Sequence, residues 1–292
     1  MENFFTTKYQ IILSHRDWDG LFGGALISRI FELPVKFLNR IDTAEAAIIV
    51  EVPISRSSVI ESSLIIDHHN CKKSEFYALR YGNMFICDEK YPSVTQLISD
   101  IFNEDLPSEF QEAINYLEQG EINKSQLAND MFFAYISNLE KFPFNMLLKA
   151  IRDGNWKFLH SWIIEKANKL DKKRILTVKD ALLKDVKLIS RDVALIKYRK
   201  DNPLENGASK LALLELQDEY KVVIALALKN GYVEIGTIAT KKNINLNPVF
   251  TYLENMGIDA GGRRTVGGFC FRHNISLEQV ISILKEAMKE LI

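Results

Sequence analysis

Several short apolar runs in the first 70 residues end in acidic or imidazole side chains, and this pattern limits the fold more than any other feature. Tyr9 to Ser14 (YQIILS) reads as a short buried strand and leads into His15, Asp17 and Asp19. Gly20 to Phe31 has apolar residues at helical spacing, and Val35 to Leu38 is a further candidate strand. Ala47 to Val52 is a β-branched run carrying Glu51, and Ser63 to Ile66 leads directly into Asp67-His68-His69. Apolar runs this short, separated by helices or loops, predict a parallel α/β sheet. Ligands collect at the carboxyl ends of strands in such sheets, so the polar residues after each run are the ones to inspect.

From Ser93 to about Leu170 the pattern is helical, with Ser93, Ser108 and Ser125 placed to open helices. Glu165 to Arg174 is densely charged and leads into an amphipathic run from Ile175 to Ser190, a solvated face or an interdomain helix. Past Asn206-Gly207 the texture becomes β-rich. Lys221 to Leu228, Asn230-Gly231 and Tyr232 to Ala239 read as a hairpin on an Asn-Gly turn. A helix over Asn247 to Met256, a glycine-rich loop, a strand over Gly268 to Phe271 and a helix from Ser276 follow. The expected division is a first domain over residues 1–185, including a helical extension and linker helix, and a smaller α+β domain over 192–292.

The length of 292 residues suits two modest domains. Thirty-seven basic against 38 acidic residues argue against a broad cationic surface for coating nucleic acid, though a local basic groove is compatible. No apolar run approaches the roughly 20 residues of a bilayer helix, and MENFFTTKYQ lacks the pattern of a secretory signal. Cys71, Cys87 and Cys270 form no C-x-x-C pair and read as free thiols, so a cytoplasmic location is expected.

Three constellations carry chemistry. In the first, His15, Asp17 and Asp19 alternate, so an extended segment would project them to one face, a suitable set for a transition ion such as Mn²⁺. Asp19 by itself reads as a helix N-cap. Gly20, Gly23 and Gly24 would allow a tight turn. The second is Asp67-His68-His69, which holds two of the five histidines. The third, Gly261-Gly262-Arg263-Arg264-Thr265-Val266-Gly267-Gly268-Phe269, combines free backbone amides with bidentate arginine donors, as an anion cradle requires. A plain hairpin loop with exposed arginines is the structural alternative. Trp18 and His160 read as packed side chains, and His273 as a surface residue.

These three elements, in this order, resemble the DHH phosphoesterase superfamily with a C-terminal DHHA1 domain. That superfamily includes RecJ-type nucleases, nanoRNA and cyclic-dinucleotide phosphodiesterases, and exopolyphosphatases. The resemblance covers nearly the whole chain. It implies an α/β DHH domain facing a smaller DHHA1 domain across a cleft, and a two-ion Mn²⁺ site for which Mg²⁺ is the alternative. By motif matching, His15 and Asp17 would hold one ion, Asp19 and His68 the other, while Asp67 and His69 would orient groups or act on the phosphate. Gly261, Gly262, Arg263, Arg264, Gly267 and Gly268 would bind substrate.

Two positions depart from the family pattern. The aspartate expected to bridge both ions is replaced by Glu51, one methylene longer. The fourth acidic ligand has no clear match; Glu118 is favoured over Glu121 in YLEQGEIN. Arg263 also stands where the family commonly has histidine. The implied activity is hydrolysis of phosphodiester bonds in short oligonucleotides or dinucleotides, with phosphoanhydride hydrolysis as an alternative. A degenerate site that binds a nucleotide without turnover is the rival from another class. The implied partner is a small phosphorylated substrate; no membrane is implied, and an oligomer is compatible.

Overall fold

The computed structural model describes residues 9–69, 71–167, 171–241 and 244–289. The chain divides into two compact units, residues 1–168 and 169–292. This division falls ahead of the 185–192 junction expected from composition, because the helix over 171–184 packs on a helix of the second unit.

The first unit runs β1 (Ile11–His15), α1 (Trp18–Phe31), β2 (Val35–Leu38), β3 (Ile41–Glu45), β4 (Ala47–Val50), β5 (Ile54–Glu61), β6 (Leu64–Asp67), α2 (Cys71–Tyr81) and β7 (Met84–Cys87). Helices α3 (Val94–Phe102), α4 (Ser108–Glu118), α5 (Gln126–Ile136), α6 (Phe144–Arg152) and α7 (Trp156–Ala167) follow. The main sheet has the order β2-β1-β4-β6-β7, and every pairing in it is parallel. β3 and β5 form a separate parallel pair. All four residues of β4 are buried, as expected of a central parallel strand covered on both faces. The chain leaves β1 toward β2 on one side and reaches β4 on the other. The carboxyl ends of β1 and β4 therefore flank the reversal of strand order at which such sheets open a crevice.

Helix α1 is buried on nearly all sides. Trp18, Leu21, Phe22 and Ala25 join a core built with α4 to α7, while Leu26, Ile27 and Phe31 join the core between the sheet and α3. Each fully buried Leu, Ile or Phe side chain contributes about 1.5–3 kcal/mol, so α1 is a fixed post rather than a mobile element. Trp18 packs edge-on to Phe142, with ring centroids 5.1 Å apart, and donates from Nε1 to the Met131 carbonyl at 2.8 Å. His160 meets the Phe110 ring edge-on at 6.5 Å.

The second unit runs α8 (Asp171–Lys184), β8 (Lys187–Ser190), β9 (Val193–Arg199), α9 (Pro203–Leu216), β10 (Val222–Lys229), β11 (Tyr232–Ala239), α10 (Asn247–Asn255), β12 (Asp259–Gly262), β13 (Val266–Ile275) and α11 (Leu277–Ala287). Its six strands have the order β12-β13-β11-β10-β9-β8, antiparallel except for β9 with β10. Strand alternation sends Val222, Ile224 and Leu226 into one core with α10 and α11, and Val223 and Ala225 into another with α9. Asn230 (φ 50°) and Gly231 (φ 82°) form the expected hairpin turn between β10 and β11.

Four expectations change. Ser108 is the first residue of α4 and makes no capping bond; Pro107 holds the cap position. The amphipathic run stops at Lys184, and β8 occupies part of its remainder; residues 168–170 of the charged stretch lie outside the described residues. The glycine-rich segment is not a loop: β12 and β13 pair through Gly261 with Gly268 and Gly262 with Gly267, leaving Arg263, Arg264 and Thr265 as the turn. Cys71 and Cys87 are joined in a disulfide, and Cys270 is the free thiol. The pair escapes a reading of spacing because its partners, 16 residues apart, meet only where β7 ends beside the start of α2.

Candidate metal centre

The site forms at the carboxyl ends of β1, β4 and β6. His15 is the last residue of β1, and Asp17 then caps α1, its Oδ1 accepting from the Gly20 amide at 2.8 Å. The turn is tight enough that a Cβ on Gly20 would stand 2.4 Å from the His15 carbonyl oxygen, so only glycine fits there. The segment is thus a strand end, a cap and a first helical turn, not the extended run that alternation suggested. Asp17 rather than Asp19 caps α1.

Asp19 does a different job. It is fully buried, and its Oδ2 and Oδ1 accept from the Val94 and Thr95 amides at 2.8 Å each. It sits on the free N-terminus of α3, where backbone donors and the helix dipole hold an anion. The Ser93 hydroxyl caps the same helix through the Gln96 amide at 3.1 Å.

Glu51 follows β4 with φ 57°, a left-handed conformation uncommon for a side chain of this size. Its amide still donates to the Ile66 carbonyl at 2.9 Å, so the turn begins while the residue is tied to β6. Its carboxylate lies between two histidines: Oε1 is 3.5 Å from His15 Nδ1, and Oε2 is 3.3 Å from His68 Nε2. The Oε2 atom is buried and accepts no hydrogen bond of adequate geometry from the described residues. Burial, followed by the charges of Asp19, Asp17 and Glu118, raises the Glu51 pKa well above the ordinary carboxylate range.

His68 is buried, and its Nδ1 donates to the Tyr91 carbonyl at 3.1 Å. A carbonyl can only accept, so this bond fixes the proton on Nδ1 and leaves Nε2 for the site. That Nε2 lies 3.4 Å from Asp19 Oδ2 and 3.3 Å from Glu51 Oε2. A lone pair facing two carboxylate oxygens requires a proton or a cation between them. His69 is held in the same way: its Nδ1 donates to Asp67 Oδ1 at 2.7 Å, and that oxygen also accepts from the His68 and His69 amides. Burial pushes the Asp67 carboxyl up, but the charge and hydrogen bonds of His69 outweigh it and bring the pKa down to about 2. Burial likewise raises Asp17, and His15, 2.5 Å away, more than reverses this, so Asp17 stays well below the usual range.

Among the described residues, three groups of side chains come close enough to share an ion: His15, Asp17 and Glu51; Asp19, His68 and Glu118; and Glu51, His68 and His69. Imidazole and carboxylate ligands in these combinations fit Mn²⁺ or Mg²⁺, with the nitrogen donors favouring Mn²⁺. Glu118, at the end of α4, is brought into the second group, whereas Glu121 pairs with Lys124 at 2.8 Å. His15 and Asp17 keep about a quarter of their side-chain surface exposed, unlike Asp19 and His68, which marks the open side of the site.

Several contributors have no signature in the motifs. The Val94 and Thr95 amides hold Asp19, and the helix-opening Ser93 was the available signal for them. The Tyr91 carbonyl orients His68, and the Tyr135 hydroxyl donates to the Arg16 carbonyl at 2.5 Å; nothing near either in sequence points to the site. Burial and the Asp17 charge push the Tyr135 hydroxyl pKa up, which keeps it protonated for that bond.

In the second unit the arginines crown the β12–β13 turn. Arg264 is exposed, and the Arg263 amide closes the turn by donating to the Val266 carbonyl at 2.7 Å. Two of the glycines have a packing reason. A Cβ on Gly267 would stand 2.4 Å from the Phe250 ring, and one on Gly262 would stand 2.2 Å from Gly267 Cα. His273 is exposed on β13.

Comparison with known proteins gives no match to a protein-family model and none to a curated sequence. Solved structures do match. The pGpG-specific phosphodiesterase PggH from Vibrio cholerae superposes with a TM-score of 0.57 at 16% identity, over 97% of this chain and 99% of that one. The DHH domain of a member of a ribosomal-protein family gives 0.58 at 15% identity, over 99% and 89%. RecJ from Thermus thermophilus in complex with Mn²⁺ gives 0.53 at 13% identity, and this chain spans about half of it, 97% against 52%. From end to end, the chain has the fold of the DHH-domain proteins.

Proposed function

We propose that this chain is a metal-dependent phosphohydrolase cleaving phosphodiester bonds of short oligonucleotides or dinucleotides with water activated between two divalent ions, Mn²⁺ before Mg²⁺. The observation that carries this reading is the pair of carboxylate oxygens, on Asp19 and Glu51, facing the lone-pair nitrogen of His68. His15, Asp17 and Glu51 would hold one ion, and Asp19, His68 and Glu118 the other. Bound ions supply Lewis acidity, generating a nucleophile from water and offsetting charge on the phosphoryl oxygens.

The chain's own residues supply the rest. The α3 amides keep Asp19 in place, and the Tyr91 carbonyl keeps His68 in the ligating tautomer. Asp67 orients the His69 ring and leaves its Nε2 to act on an ion or the phosphate. Arg263 and Arg264, in the second unit, would donate as cations to a phosphate. The structural likeness to a pGpG-specific phosphodiesterase and to Mn²⁺-bound RecJ supports the reaction class.

The test is hydrolysis of a short RNA, a linear dinucleotide and polyphosphate by purified protein in Mn²⁺, with bound metal measured alongside. Release of mononucleotide is expected. Two bound ions with no turnover of any substrate would sink the hydrolase reading; one ion or none, with nucleotide bound but not hydrolysed, would favour a nucleotide-binding protein.

A further inference from the structure

We propose that the first unit carries a nucleobase-binding subsite beside the metal centre, formed by Arg16, Lys36, Phe37, Phe144, Asn145 and Met146. It takes the flat ring and adjoining phosphate of a nucleotide. The proposal rests on the phosphohydrolase reading and deepens it by assigning the side chains that recognise the base of its nucleotide substrate.

These residues line an open cleft of about 590 Å³, within the roughly 300–1,000 Å³ typical of small-molecule sites. The covalent chain ties the cleft to the metal centre, because Arg16 lies between His15 and Asp17. Strand register adds a second tie. Phe37 is the partner of Ser14 and Leu38 the partner of His15, so Lys36 and Phe37 sit at the carboxyl end of the edge strand next to β1.

The lining chemistry selects the occupant. The Arg16 guanidinium lies over the Phe144 ring, 5.0 Å from its centroid, and the Tyr135 hydroxyl holds the Arg16 carbonyl. Both its plane and its backbone are therefore positioned. Phe37 stands 4.7 Å from Phe144, centroid to centroid, and is only half-buried. Lys36, Asn145 and Met146 are exposed around it. A polyphosphate chain presents anionic oxygens alone and is best met by cations alone. This wall instead interleaves two cations with an aromatic ring, a thioether and a carboxamide. The cations suit a phosphate, the ring and thioether suit a flat apolar face, and the carboxamide suits the hydrogen-bonding edge of a base.

The experiment is calorimetric binding in Ca²⁺ of a 5′-phosphorylated diadenylate and of the same compound lacking both bases. Wild type is expected to bind the base-bearing compound about tenfold more tightly or better. Phe37→Leu, which keeps an apolar side chain in the core while removing the ring, and the double variant Asn145→Ala/Met146→Ala should each shrink that ratio to about twofold. The double variant alters exposed side chains and decides the question if Phe37→Leu fails to fold. Equal affinity of wild type for the two compounds, or an unchanged ratio in the folded variants, overturns the subsite. Hydrolysis of the diadenylate in Mn²⁺, measured in parallel, separates the two readings. Base-dependent binding without turnover removes the hydrolase and keeps the subsite. Turnover without base dependence removes the subsite and keeps the hydrolase. Binding of neither compound removes both.

Discussion

The turn from His15 to Gly20 and the hairpin from Gly261 to Gly268 look alike in sequence, each setting charged side chains among glycines, but the structure treats them differently. In the first, Gly20 is forced by the backbone of His15, and the charged groups are tied to partners: buried Asp19 to α3, partly exposed Asp17 to His15 in the same turn, and buried Glu51, from the end of β4, between two histidines. In the second, Gly262 and Gly267 are forced by the opposite strand and by Phe250, and Arg264 extends outward. Glycine beside charge is therefore no signal of a ligand by itself. What separates the regions is whether the charged atoms are buried against one another without enough protons to satisfy them.

The largest effect tests the buried side. Asp19→Ala should reduce hydrolysis in Mn²⁺ to background and, by freeing the N-terminus of α3, cost about 1–2 kcal/mol of stability in a denaturant titration. Full activity in that variant would break the contrast, since Asp19 would then be a structural cap and nothing more.

Glu51→Gln should abolish the rise in melting temperature that Mn²⁺ gives the wild type, while making the metal-free protein more stable than wild type near neutral pH. The sign follows from the raised pKa. The folded state binds the Glu51 proton more tightly than the unfolded chain, so metal-free stability falls as pH climbs from the ordinary Glu range toward the raised value. Glutamine removes that fall.

Asp67→Asn should weaken Mn²⁺ binding by roughly 10- to 100-fold, the usual cost of losing a group that orients a ligand. Its pH signature is opposite in sign to that of Glu51. Asp67 titrates near 2 when folded, so its stabilisation is present in full above the ordinary Asp range and disappears as pH falls through that value. Between roughly pH 4 and 2 the stability gap between wild type and variant should shrink by about 2 kcal/mol, as read from acid unfolding curves.

The hairpin gives smaller, separable effects. Gly267→Ala pushes a methyl into Phe250 and should cost about 1–3 kcal/mol of stability in thermal unfolding. Arg264→Ala should leave stability within about 0.5 kcal/mol and raise KM by roughly tenfold, the worth of one charge-assisted hydrogen bond. If Arg264→Ala leaves KM unchanged, the hairpin is a structural feature and the comparison becomes absolute.

Much of this was legible along the chain. The strands β1, β2, β4 and β6, the helix α1 and the β10–β11 hairpin follow from local periodicity and turn chemistry, and the residues gathered at the centre follow from what stands after each strand. Glu118 was legible only as one of two acids in YLEQGEIN, because nothing local says which of them a helix end will carry to a site formed by strands far away. The edge strands β3, β5 and β7 were not legible, since partly exposed strands show weak alternation. The disulfide escaped because its partners are distant in sequence.

By itself the sequence determined the α/β order, the candidate metal-ligating residue types and the anionic character of the proposed partner, because these depend on short-range patterns and side-chain chemistry. Tertiary structure alone decided that Asp17 caps α1 while Asp19 holds α3, that the Tyr91 carbonyl fixes the His68 tautomer, and that Glu51 reaches both histidines. Each of these depends on which buried donor a carboxylate or ring nitrogen meets across the fold, and burial makes an unmet one too costly to keep.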